Sequence, residues 1–214
     1  MEFETRVPHF YEENILNKDD RMYIISFLKE HKIINKIQGG TLIIEKDSIN
    51  DKKILSIFQN LLSHFNNIVL TRFSKYLPLK IKEIESKTRC KINSYKTKLH
   101  GPFFSICEPD HYINAHRDDY YQFIICIIYL GHLDNTPAQT TSLLDGKEII
   151  ANYKEEEITH NGNYENINRI NFGYSNNSAL FFLNNQFAYH MVDKPIEKDR
   201  ATIMFSLEIE VDDN

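Results

Sequence analysis

The sequence predicts an α+β chain with a mainly β core, arranged as a double-sheet jelly roll behind an N-terminal layer of helices. Three observations carry this. Apolar residues recur at helical spacing between residues 20 and 87, and strand-like segments replace them after Cys90. About eight short apolar segments, separated by turn residues, then follow at close spacing. A chain of 214 residues suits one domain, with residues 1–90 as a helical layer and 91–214 as the jelly-roll core.

Taken in order, residues 1–19 contain Pro8 and mixed charges and are expected to pack as an arm on the domain. Met22, Ile24, Ile25, Phe27 and Leu28 give residues 20–32 a helical period, with Asp19 or Asp20 as the cap. Gly39-Gly40 is a break, and Thr41 to Glu45 reads as a short strand. Asn50-Asp51 opens an amphipathic helix in which Ile54, Leu55, Ile57, Phe58, Leu61, Leu62 and Phe65 form one core-facing stripe. A similar stripe predicts a third helix between Thr71 and Lys87, interrupted near Pro78. Residues 92–107 fit strands and a turn, and Glu108-Pro109-Asp110 is a turn signal. Phe123 to Leu130 is apolar on both faces, as in a strand sandwiched inside a core. Residues 143–153 fit a hairpin around Asp145-Gly146, and the acidic, Asn-rich stretch 154–166 reads as a surface loop. Segments 167–174, 179–183, 188–192 and 201–211 complete the strands.

Composition narrows the function classes. A net charge of -5 with interspersed signs leaves no electrostatic footprint for nucleic acid. The three cysteines, Cys90, Cys107 and Cys126, lack a Cys-x-x-Cys spacing, which favours reduced thiols and a cytoplasmic setting. No basic-then-apolar leader and no apolar run of membrane length is seen, so no membrane association is expected.

The chemistry gathers in two stretches. Asn114-Ala115-His116-Arg117-Asp118 supplies an imidazole and a carboxylate, and Tyr189-His190-Met191-Val192 supplies a second imidazole, with Arg200-Ala201-Thr202 further on. On an extended segment side chains alternate faces, so His116 and Asp118 project together while Arg117 points away. Two neutral nitrogens and one hard anionic oxygen form a three-ligand set that leaves positions open on a divalent iron. An arginine on the otherwise apolar strand 201–211 is costly to bury unless it meets a carboxylate.

With those residues, the chain resembles the Fe(II)/2-oxoglutarate-dependent dioxygenases, most closely their prolyl-hydroxylase-like branch, over residues 99–211. The shared pattern is His116-x-Asp118, a long gap, His190, then Arg200 and Thr202; Ile124 to Gly131 is similar to the branch's strand ending in Tyr-Leu-Asn. The resemblance implies a double-stranded β-helix whose one sheet is buttressed by the N-terminal helices. It implies Fe(II) on His116, Asp118 and His190, with 2-oxoglutarate and O2 as co-substrates. It also implies that Arg200 clamps the far carboxylate of 2-oxoglutarate, with hydrogen bonds from Thr202 and Tyr129. Two departures concern the substrate side: Gly131 replaces an asparagine, and Gln139 to Leu144 replaces a Gly-Gly-x-Leu segment.

Asn114 and Tyr112 share the face of His116 on a regular strand and are expected to line the pocket, with Tyr120, Phe104 and Arg169 as further substrate contacts. His100, His111, His132 and His160 read as loop or surface residues. The compact chain favours hydroxylation of a small molecule, a free or carrier-bound amino acid or derivative; a protein or peptide residue is the alternative substrate. Ser206 stands where nucleic-acid demethylases of the family carry a second arginine, and Asp118 stands where its halogenases carry Gly or Ala, so neither chemistry is expected. A non-catalytic, cupin-like binding module is the competing class, and it leaves the Arg200–Thr202 pair without a role. The loop 154–166, with residues 136–142, either orders over bound substrate or is a solvated surface loop with no role there.

Overall fold

The computed structural model describes residues 7–34, 40–152, 164 and 166–211. In chain order the elements are β1 (His9–Glu13), α1 (Lys18–Ile34), β2 (Thr41–Glu45), α2 (Lys52–Ile68), α3 (Leu77–Thr88), β3 (Tyr95–Cys107), β4 (Gln122–His132), β5 (Ala138–Gln139) and β6 (Ser142–Leu144). There follow α4 (Gly146–Asn152), β7 (Arg169–Asn171), β8 (Tyr174–Ser175), β9 (Ser178–Leu183), β10 (His190–Met191) and β11 (Arg200–Val211). No helix among the described residues is long and apolar enough to cross a membrane.

Six antiparallel strands form the main sheet in the order β1-β9-β4-β11-β3-β2, and β10-β6-β7 form a smaller sheet. The period-two alternation of the central strands explains how the main sheet serves two cores. Ile124, Cys126 and Ile128 of β4, Phe181 of β9 and Ile203 and Phe205 of β11 pack on the helices, with Phe58, Phe65 and Ile54 of α2 opposite. Ile125, Ile127 and Tyr129 of β4, Leu180 and Phe182 of β9 and Met204 of β11 point the other way, onto Leu143 of the smaller sheet. The stripe read on α2 is thus core, and Asp51 caps the helix by accepting from the amides of Lys53 and Ile54.

Local boundaries depart from the sequence reading where a side chain chose the turn. The amide of Asp20 donates to Asn17 Oδ1 (2.8 Å), so Asn17 caps α1 and both aspartates sit in its first turn. The third helix is preceded by a π turn at Val69–Phe73 and a 3-10 turn at Ser74–Tyr76, and Pro78 sits in the first turn of α3, where its missing N–H costs nothing. Residues 95–107 are one long strand, not strands and a turn. The expected hairpin around Asp145-Gly146 is absent: Asp145 accepts from Lys147 N (2.9 Å) and starts α4. Of the loop 154–166 only Tyr164 and Asn166 are described; the remainder, and His160, lie outside the described residues.

Candidate active site

His116 and Asp118 do not lie on a regular strand. Residues 111–118 are irregular, held by backbone bonds from Ile196 N to His111 O (3.0 Å) and Val192 N to Ile113 O (3.0 Å) and by a bridge in which His116 N donates to His190 O (3.0 Å) and His190 N to His116 O (2.9 Å). That bridge sets the two imidazoles side by side, ring centroids 4.2 Å apart. His116 Nε2 lies 3.9 Å from Asp118 Oδ1, and His190 Nε2 lies 3.5 Å from Asp118 Oδ2. One ligand atom from each of the three residues falls within 4.8 Å of the others.

The remaining bonds fit these residues to a divalent metal. His116 Nδ1 is 2.8 Å from Asn114 O, and His190 Nδ1 is 3.1 Å from Ala188 O. A carbonyl can only accept, so each Nδ1 carries the proton and each Nε2 turns a lone pair toward Asp118. Asp118 Oδ2 is buried without a hydrogen-bond partner, an unmet demand that a cation satisfies. Burial first, and then the neighbouring His116, lower the His190 pKa to about 4, which keeps its imidazole neutral. Hard oxygen plus two imidazoles suit a first-row divalent ion such as Fe(II).

A second polar group stands on the same inner face. Arg200, 4% exposed, donates from Nε to Gln139 O (3.0 Å), and its guanidinium carbon lies 5.5 Å from the centre of the Tyr129 ring. Thr202 pairs with Tyr129 across the β4–β11 ladder and is buried beside it. Thr141 N donates to the Tyr129 hydroxyl (3.2 Å), which leaves the phenolic proton for another acceptor. Burial raises the Tyr129 pKa to about 12, so the phenol remains a donor. Gly131, two residues on, has φ +87°, and a Cβ there would meet Asn176 Cβ and Thr136 O at 2.6 Å, so the asparagine of the family pattern does not fit this turn.

The substrate candidates scatter. Asn114 is exposed and contributes its backbone carbonyl to His116, while Tyr112 is 57% exposed. Phe104 is fully buried on the helix side, its ring 4.9 Å from that of Phe58, because it pairs with Ile203 and so faces away from the metal. Tyr120 likewise packs against the helical core. Arg169 pairs with Leu144, whose side chain packs on α4 outside the smaller sheet, and binds Asp193 (2.5 Å) there. Arg117 points from the triad toward Gln186 O (3.4 Å). His132, read as a surface residue, is 6% exposed and faces Lys198 O (3.2 Å) at the start of β11. Sequence reasoning also passed over Thr141 and Gln139, whose roles come from backbone atoms that carry no residue signature.

No family model matches the chain, and no curated protein does. Solved structures do. A prolyl-4-hydroxylase from Pseudomonas putida is 9% identical, with 95% of this chain and 93% of that chain covered at a TM-score of 0.55. HygX from Streptomyces hygroscopicus, solved with nickel and 2-oxoglutarate bound, is 11% identical, with 94% and 83% covered at a TM-score of 0.56. At such identities the likeness is one of fold. The chain shares its fold with these two proteins, and within that fold His116, Asp118 and His190 form a group that could hold a metal ion.

Proposed function

We propose that the protein is an Fe(II)- and 2-oxoglutarate-dependent dioxygenase that hydroxylates a C–H bond of a small molecule, an amino acid or derivative, free or carrier-bound. The whole chain then acts as one oxygenase domain, with the two facing sheets as the walls of a double-stranded β-helix. The observation that carries the reading is the convergence of two Nε2 lone pairs on the Asp118 carboxylate, whose Oδ2 is buried without a hydrogen-bond partner among the described residues. A non-catalytic module has no use for that set together with a buried arginine on the same sheet face. The free cysteines support a cytoplasmic setting.

Each residue has a defined task. His116, Asp118 and His190 would hold the metal on one side and leave the other open. Arg200, steadied through Nε, presents its terminal nitrogens to the far carboxylate of 2-oxoglutarate, and Tyr129 and Thr202 donate to the same group. Iron, 2-oxoglutarate and O2, when bound, supply the oxidising power, with succinate and CO2 as co-products. The apolar side chains of Ile125, Ile127, Leu180 and Phe182 keep water from that space. Hydroxylation of a peptide residue is the second reading, favoured by the fold likeness to a prolyl-4-hydroxylase.

The test is direct. Purified protein with Fe(II), ascorbate and 2-oxoglutarate should release succinate, and Co(II) titration should give one visible absorption band set per chain. His190→Ala and Asp118→Ala should lose both. Succinate formation unaffected by these changes, or none in the unaltered protein, would sink the proposal.

A further inference from the structure

On β11 the even-numbered residues face the inner side of the main sheet: Arg200 and Thr202 beside Tyr129, then Met204, Ser206 and Glu208. The odd-numbered Ile203, Phe205 and Ile209 face the helices. Ser206 is opposite Ile125, which is opposite Phe182, and the Phe182 ring lies 5.0 Å from that of the metal ligand His190. Ser206 therefore sits on the rung of the sheet that underlies the triad, at the end away from Arg200. It is 4% exposed, and its Oγ is buried with no hydrogen-bond partner among the described residues. A second buried, unpartnered oxygen belongs to Gln122 Oε1, and Gln122 is opposite Glu208, the next inward residue of β11. Gln122 Nε2 points at Glu208 Oε1 (3.5 Å), which orients the amide and leaves Oε1 as its free end.

Buried polar atoms without partners are uncommon, and each demands an explanation. Two of them are diagonal neighbours on one ladder, within reach of a single bridging group. Across β3, His100 is opposite Ser206, and with Phe103, Ile43 and Glu45 it lines a cleft of about 490 Å³. The sheet face that carries Ser206 thus continues into a space large enough for a small molecule.

We propose that Ser206 and Gln122 anchor the substrate of the oxygenase reading, on which this inference rests, by accepting hydrogen bonds from an N–H-bearing group, an amine or an amide. Gln122 Oε1 can only accept, and Glu208 adds a negative charge beside it. A carboxylate is therefore disfavoured there. An ammonium or primary amide nitrogen carries two or more donors and serves both oxygens, as two N–H groups of one peptide would, whereas a single hydroxyl carries one. Anchoring at this end holds the remainder of the molecule between Met204 and the metal.

The experiment uses the full chain with 2-oxoglutarate. Free amino acids and capped dipeptides are compared with their fully N-methylated counterparts, which keep the shape and lose the donors. Succinate release reports turnover with Fe(II), and thermal shift with Mn(II) reports binding without turnover. An N–H compound should stimulate succinate release and raise Tm, and its methylated counterpart should do so at least tenfold more weakly. Ser206→Ala and Gln122→Met should each weaken the apparent affinity for the stimulating compound about tenfold, while the apparent affinity for the co-substrate stays within twofold of the parent. Stimulation by amino acids but not dipeptides assigns a free amine or amino acid; the reverse assigns a peptide amide. Equal response to methylated compounds, no response to any N–H compound, or unaltered affinity in both variants overturns the inference while 2-oxoglutarate turnover persists. Loss of that turnover in the parent protein would instead end the oxygenase reading and this inference with it.

Discussion

Under the proposed function, single side chains divide the inner face of the sheet into a metal end and a carboxylate end. Arg200 is buried and, among the described residues, tied to Gln139 O through Nε, so its terminal nitrogens are left for the carboxylate that the proposed function brings. Arg200→Ala should raise the KM for 2-oxoglutarate by a factor matching about 2–5 kcal/mol of lost charge pairing, with Co(II) affinity retained. Steady-state kinetics and metal titration check this, and an unchanged KM would remove Arg200 from the clamp. Tyr129→Phe deletes one hydroxyl that also receives the Thr141 amide. It should raise the same KM about twofold to tenfold, since one hydrogen bond is worth about 0.5–1.5 kcal/mol. A shift as large as that of Arg200→Ala would mean that the phenol positions the arginine.

At the scale of elements, α3 and the loop after β9 brace the metal segment through a buried cation. Lys80 is 2% exposed and donates to Asn184 O (2.5 Å) and to Glu83 (3.3 Å). Asn184 donates in turn to Asp119 O (2.7 Å) and Gln122 O (3.1 Å), the residues just beyond Asp118. Burial lowers the Lys80 pKa below its ordinary 10.5, with the Glu83 charge opposing. A folded-state lysine pKa below the unfolded one means that the unfolded chain binds more protons between the two values, so stability rises with pH across that window. Urea unfolding from neutral pH toward 10.5 should show this rise in the parent and a smaller one in Lys80→Met. Parallel curves for the two proteins would mean that Lys80 does not titrate differently on folding. Asn184→Ala should cost about 1–3 kcal/mol by removing a buried side chain's bonds to two partly buried carbonyls, measured by the same unfolding.

For the whole molecule, one sheet serves two cores, with helices on one face and the site on the other. Phe104 tests that division, because it sits in the helical core against Phe58 and Phe27. Phe104→Ala should destabilise by about 3–5 kcal/mol through a large cavity, lowering Tm, while the KM for 2-oxoglutarate holds. A selective effect on substrate with little change in Tm would return Phe104 to the site.

Local patterning was enough to read a mainly β chain with helices and the three residues that could hold a metal. Helical spacing in α2, strand alternation in β4 and the types of His116, Asp118, His190 and Arg200 are local properties, legible without coordinates. Alternation also decides that Ser206 shares a face with Arg200 and Thr202, and that Phe104 lies opposite Ser105; both follow from parity along a strand. What parity cannot say is which face meets the helices, and for Phe104 that choice separates core from site. Tertiary structure alone decided that an irregular segment, bridged to His190, would carry His116 and Asp118. It also decided that Asp145 would start a helix and that Arg169 would face outward. The physical reason is that these outcomes depend on backbone carbonyls and amides of distant segments, such as Asn114 O, Ala188 O, Gln139 O and Thr141 N, and the identity of a residue leaves no trace of where its main chain will be.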